Sequence, residues 1–265
     1  MKAIALSVLI LAFASGMWAD DSRPAALRGV GIDQRLNEQV PLDLMFRDET
    51  GKSVRLGDYF GNKPVILALV YYRCPMLCTL TLNGLVRTMR VMPFDVGDQY
   101  AVVTVSFDPH ETPALAAAKK GEYLAHYARP GGAAGWHFLT GEESSIRRLT
   151  EAVGFHYNYD PQSGQYAHTT GLVVVTPQGK IARYFYGVEV SPRDLRLSLV
   201  EASANKIGSR VDEILLFCFH YDPATGKYGW EIVRIIQFAG AVTVLVLGSF
   251  IAVMLLRERE SRLRT

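Results

Sequence analysis

Two uninterrupted apolar runs, Pro64–Tyr71 (PVILALVY) and Tyr100–Phe107 (YAVVTVSF), constrain what this chain can fold into more than any other feature. Both are short, rich in β-branched residues and without alternation, so they read as central strands covered on two faces. A helical pattern over Leu80–Met92 separates them. A second helix, Pro113–Tyr127, follows and is stopped by Arg129-Pro130-Gly131-Gly132. Strands alternating with helices in that order indicate an α/β sandwich.

The flanks extend this core. Leu42–Phe46 alternates toward a strand, Arg47–Gly51 is a turn, and Val54–Leu56 returns as its partner. Trp136–Leu139 is a short strand, Glu142–Val153 a helix, and the tyrosine-rich stretch Phe155–Tyr159 a strand read as packing. Gly171–Thr176 and Ile181–Tyr186 form a hairpin around Pro177-Gln178-Gly179-Lys180. The last helix, Pro192–Ile207, begins with proline behind a capping Ser191. The fold class is therefore α/β: a mixed sheet flanked by helices, in thioredoxin-like order with an added N-terminal hairpin. There is no internal repeat and no low-complexity linker.

Charge excludes one class of partner. Residues 20–231 carry 22 Lys and Arg against 24 Asp and Glu, a balance that lacks the basic stripe of a nucleic-acid binder. A hydrophobic fraction of 49% excludes a disordered chain, and three cysteines are too few for a small disulfide scaffold.

Both ends point to a membrane. Residues 1–19 read as a secretory signal, with Lys2 ahead of the uncharged Ala3–Ala14. No cysteine lies nearby to carry a lipid. Phe238–Leu256 holds no charge, and with Ile232–Gln237 it is long enough to span a bilayer as a helix. Arg257, Arg259, Arg262 and Arg264 follow, which by the positive-inside rule keeps the tail in the cytoplasm. The expected topology is a domain outside the cytoplasm tethered by its C-terminus; in a bacterium that is the periplasmic face of the inner membrane, an oxidising setting.

Cys74 and Cys78 follow the first central strand and precede a helix. The carboxyl end of a strand is where ligands bind in an open α/β sheet. The helix N-terminus and Arg73 favour thiolate there, so both sulfurs are expected to be reactive or metal-competent. Three residues intervene, Pro75-Met76-Leu77, against two in thioredoxin-type redox sites. Read as one helical turn, that spacing puts both sulfurs on one face, where they can close a disulfide or converge on Cu(I) or Zn.

A third ligand would favour metal. Of His110, His126, His137, His156, His168 and His220, the topology selects His168. It lies in Gln165–Gly171, read as the loop that enters the hairpin strand beside the cysteine turn. No proline occurs between Gln162 and Thr176, where thioredoxin oxidoreductases place a cis-proline. Cys218 and His220 form a second pair, either a weaker copper-handling or resolving site or a partly buried thiol beside a surface histidine.

Four stretches then resemble one family, the Sco (SenC) copper proteins. YYRCPMLC at 71–78 resembles their CPxxC signature, SFDPHETP at 106–113 their DPxxDTP, and GWHFLTG at 135–141 their WxFLTG. His168 matches their distal histidine ahead of the VVVTPQGK hairpin. Glu111 stands where the family has aspartate, and a loop-ordering role is expected to survive; Asp108 and Glu111 read equally well as turn and N-cap residues. The resemblance implies a membrane-tethered thioredoxin-like metallochaperone. It would hold one copper ion, Cu(I) or Cu(II), through Cys74, Cys78 and His168.

The implied acceptor is the binuclear copper centre of cytochrome c oxidase, with a periplasmic copper donor or thiol reductant as a further partner. The alternative is a periplasmic thiol–disulfide reductase in which Cys74 attacks and Cys78 resolves. A peroxidase of the same fold would need a transition-state donor pair that the motifs do not supply. The expected organisation is a signal over 1–19, a lead-in over 20–39 and a thioredoxin-like copper-binding domain over 40–210. A membrane-proximal segment over 211–231, a transmembrane helix over 232–256 and a cytoplasmic basic tail over 257–265 complete it.

Overall fold

The structure, a computed structural model, describes residues 27–206 together with 221–222, 227–228, 237–238, 240–249, 251 and 254. Short strands open the domain: β1 (Gly31–Ile32), then the hairpin β2 (Met45–Arg47) and β3 (Ser53–Arg55). The first apolar run forms β4 (Val65–Val70), every residue of it buried. Helix α1 (Leu77–Val91) leads to β5 (Ala101–Ser106), and α2 (Pro113–Tyr127) to β6 (Trp136–Leu139). Helix α3 (Glu143–Ala152) precedes the hairpin β7 (Phe155–Asp160) and β8 (Gln165–His168). A second hairpin, β9 (Gly171–Val175) and β10 (Ile181–Tyr186), and helix α4 (Pro192–Ser203) complete the domain.

The central sheet has the order β10-β9-β4-β5-β6. Strands β4, β5 and β6 run parallel, while β9 and β10 run against them, so the sheet is mixed as expected. Pairing of β4 with β5 runs from Val65↔Ala101 to Val70↔Ser106 without a slip. The two strands therefore end level, and the turns that follow them, 71–76 and 107–112, emerge side by side. That register places the cysteine motif against the SFDPHETP motif.

Local chemistry sets the helix ends. In α2, Pro113 occupies the first turn and the Thr112 hydroxyl accepts from the Leu115 amide, so Thr112, not Asp108 or Glu111, is the cap. Ser191 caps α4 in the same way. On α1, Gly84 lies so near the segment 187–190, which follows β10, that a Cβ would sit 1.8 Å from the Val188 carbonyl oxygen. A glycine at this position lets α1 approach the sheet's far edge.

One expectation needs correction. Residues 165–171 are not a continuous loop: Gln165–His168 is a strand paired with β7 at Tyr157↔His168, and only Thr169 and Thr170 connect it to β9. The Tyr-rich β7 supplies a partner, and a tight turn with Gly164 at φ +67° closes the hairpin. With β1 it makes a separate sheet of order β1-β7-β8.

The expected signal (1–19), Cys218, His220 and the tail from 257 fall outside the described residues. Within the C-terminal apolar stretch, residues 237–238, 240–249, 251 and 254 are helical. Among the described residues no helix is long and apolar enough to cross a membrane, so the span over 232–256 remains an expectation.

Candidate metal centre

The cysteine arm begins where β4 ends. The chain turns at once, the Cys74 amide donating to the Tyr71 carbonyl oxygen at 3.2 Å. Helix α1 starts at Leu77, so Cys78 is in its first turn and Cys74 lies outside it. Pro75 explains the difference, because the residue before a proline is pushed out of the helical region. The two cysteines thus do not share a helical face; the turn itself folds Cys74 back toward Cys78. The Cys78 amide donates to Cys74 Sγ at 3.4 Å and the Tyr71 amide donates to Cys78 Sγ at 3.3 Å. Both thiols are free and only 8% and 3% exposed.

The histidine arm arrives from β8. His168 Nε2 lies 3.8 Å from Cys74 Sγ and 3.4 Å from Cys78 Sγ, and all three ligand atoms fall within 4.8 Å of one another. On the far side of the ring, Nδ1 is 2.7 Å from the Thr169 carbonyl oxygen. A carbonyl only accepts, so Nδ1 carries a proton and Nε2 is the ring nitrogen turned to the sulfurs. Aromatic rings hold the imidazole: Tyr71 at 5.6 Å and Phe107 at 5.3 Å meet it edge to face.

The electrostatics of the two sulfurs diverge, although the helix N-terminus and Arg73 favour thiolate at both. The Cys78 thiol beside Cys74 holds the latter far below the usual thiol range, aided by His168 and the amides of Cys78 and Met76 against the effect of burial. Burial pushes the Cys78 thiol well up, and the charge on Cys74 adds to it. The pair therefore rests with one thiolate at Cys74 and one thiol at Cys78. Helix and cation effects on the outside of a turn do not overcome full burial of the inner sulfur.

The span of the three atoms suits one soft ion. Bonds of about 2.3 Å to sulfur and about 2.0 Å to nitrogen, set about 120° apart, separate S and N by about 3.7 Å. The observed 3.4 and 3.8 Å bracket that value. Two sulfurs and an imidazole favour copper or zinc over hard cations.

The other described histidines stay away. His110 and His156 pair with Asp108 and Asp33, and His137 is packed on Tyr59, its burial holding it below the usual imidazole range. Among the described residues, Cys74, Cys78 and His168 form the one group of this kind. Glu111 is 5% exposed and accepts from the Tyr72 amide (2.7 Å), the Arg73 amide (2.7 Å) and the Ser106 hydroxyl (2.6 Å). Its loop-ordering reading holds. Burial raises its carboxyl, opposed by these three bonds. Sequence reasoning missed Tyr71, Phe107 and the Thr169 carbonyl, although the first two sit inside motifs it had singled out.

The SCO1/SenC family model matches residues 33–202. The chain belongs to the SCO1/SenC family. A crystal structure of a putative electron transfer protein from Aquifex aeolicus VF5 is 24% identical, covering 64% of this chain and 95% of its own, with a TM-score of 0.57. BsSco, described as a member of the Sco family of cytochrome c oxidase assembly proteins with a disulfide switch, is 22% identical over 66% of this chain and 99% of its own, TM-score 0.50. Arabidopsis thaliana ScoI, solved with copper bound, is 19% identical over 61% of this chain and 96% of its own, TM-score 0.49. The first two likenesses bear on the fold. No individually curated protein matches the chain. For a SCO1/SenC protein, a mixed thioredoxin-like sheet with the cysteine motif at the end of its central strand is the arrangement the four sequence stretches implied.

Proposed function

We propose that this SCO1/SenC protein is a copper metallochaperone. It takes one copper ion on Cys74, Cys78 and His168 and passes it, by ligand exchange, to the binuclear copper centre of cytochrome c oxidase. The observation that carries the reading is the convergence of three soft or borderline ligand atoms within 4.8 Å from two separate parts of the chain. Three ligands leave one side of the ion open for an acceptor thiolate, and no bond between light atoms has to be made. Family membership and the oxidase-assembly description of the Sco family support the choice of acceptor. The domain is proposed to sit on the periplasmic face of a bacterial inner membrane, anchored through 232–256. A periplasmic reporter fused after Glu231 should be active and one fused after Thr265 inactive.

Metal analysis of the full chain tests the central claim. About one copper per chain is expected, with a sulfur-to-copper charge-transfer band on adding Cu(II). Cys78→Ser should abolish uptake in both oxidation states. Copper content unchanged in that variant would overturn the proposal.

The split of the two thiols supports a second reading, a thiol–disulfide reductase. The Cys74 thiolate would attack a substrate disulfide, and Cys78, giving up its proton, would release the mixed disulfide. The substrate leaves as two thiols, the pair ends as a Cys74–Cys78 disulfide, and an external dithiol restores it. His168→Ala separates the two readings: it should leave this exchange largely intact while removing Cu(II) binding.

A further inference from the structure

One turn touches both arms of the site. Residues 106–111 follow β5, level with the cysteine turn. The buried Glu111 carboxylate accepts from the Tyr72 and Arg73 amides, the two peptide groups just before Cys74. On its other side, the Asp108 carboxylate accepts from the Tyr166 hydroxyl at 3.3 Å, two residues before His168. The turn is closed on itself. The Ser106 hydroxyl donates to Glu111, the His110 amide donates to Asp108, and the Glu111 amide donates to the Asp108 carbonyl oxygen. In the same turn, the fully buried Phe107 ring lies 5.5 Å from Tyr71, 5.6 Å from Tyr166 and 5.3 Å from His168.

We propose that this turn is a bracket that sets the distance between the sulfurs and the imidazole. Glu111 fixes the cysteine turn and Asp108, through Tyr166, fixes the histidine hairpin. The reasoning is that β8 lies in a different sheet from β4, and the β4–β9 ladder that joins the two arms ends at Ala68↔Leu172, so neither the cysteine turn nor His168 is held within it. A ligand triangle with sides of 3.4 and 3.8 Å has to be held by something that grips both. Both carboxylates are positioning groups and neither meets the ion. Glutamine at 111 keeps one carbonyl acceptor but turns an NH₂ toward an amide N–H, so one of the two grips is lost. Phenylalanine at 166 keeps the ring packing and removes the hydroxyl alone.

The proposal rests on the copper reading and is tested on the full chain with Cu(II) alone as the probe. Three readouts are needed: affinity, the charge-transfer spectrum, and amide exchange at Tyr72 and Arg73 without metal. Glu111→Gln should weaken Cu(II) about 10–100-fold, the range for groups that orient ligands, shift the charge-transfer band and speed exchange at both amides. Tyr166→Phe should weaken Cu(II) about tenfold at the low end of that range while leaving those two amides protected as in the wild type. Wild-type affinity and spectrum in either variant would overturn the bracket. So would faster exchange at Tyr72 and Arg73 in Tyr166→Phe, which would mean general loosening. Should Glu111→Gln fail to fold, Tyr166→Phe decides alone. If the wild-type chain takes up no copper, the copper reading falls, and the contrast in amide exchange between the variants still decides the bracket.

Discussion

Cys74 and Cys78 leave the end of β4, a strand with partners on both sides and no exposed residue, whereas His168 ends β8, the half-buried margin of the small second sheet. The sulfurs are thus held at the end of a central strand buried along its whole length. The imidazole is held by a hairpin whose outer Tyr159 is 55% exposed. Elements with few buried contacts open at lower free energy than core strands. For the copper reading proposed above, the contrast teaches that the sulfurs form the firmer side of the site and the imidazole the side that opens at lower free energy.

The largest effect that could break this contrast is on the fixed arm. Leu67, fully buried in the middle of β4, faces neighbours on all sides. Leu67→Ala should lower stability by about 2–5 kcal/mol, read from the denaturant midpoint, through lost burial and the cavity left behind. An effect under about 1 kcal/mol would mean that the cysteine arm is no better anchored than the histidine arm.

Next in size is His168→Ala. Removing a direct ligand should weaken Cu(II) by more than the roughly 10–100-fold typical of supporting groups, while the unfolding midpoint stays near the wild type. Competition with a chelator measures the first and urea unfolding the second. A large fall in stability would show the hairpin to be part of the core.

A smaller effect sharpens the comparison within the fixed arm. Because the Cys74 thiol is held far below its usual range and Cys78 is pushed above it, iodoacetamide should label Cys74 first. An ordinary thiol loses about tenfold in rate per pH unit below about 8.5 as its thiolate is protonated. For Cys74 the thiolate survives the descent, so its labelling rate should stay flat from about pH 8 to about pH 6. Mass mapping of the labelled peptide is the readout, and a rate that falls with the ordinary slope would refute the assignment. The smallest effect is expected at the margin: Tyr159→Ser should change stability by no more than about 0.5 kcal/mol.

The central strands and α2 were legible because local signals sufficed. Continuous apolar runs marked β4 and β5, and Pro113 with the Arg129-Pro130-Gly131-Gly132 stop marked the two ends of α2. Three things were hidden for physical reasons. The α1 start moved from Leu80 to Leu77, with Pro75 throwing Cys74 out of the helix, a conflict that spacing alone does not resolve. Strand β8 was read as loop, since Gln165–His168 takes its structure from pairing with β7 rather than from its own composition. The split of the thiols depends on burial, a tertiary quantity. Topology, not local pattern, set His168 apart among six histidines, and its ring lies beside the two sulfurs.

The contact between the His168 ring and the Thr169 carbonyl has a consequence for what an incoming ion must displace. With that side of the ring committed, Nε2 is the nitrogen left to face the sulfurs. Burial favours the hydrogen on the inner sulfur. Loading has to expel that hydrogen, so copper that boards should displace protons, and a more acidic exterior should favour departure over arrival.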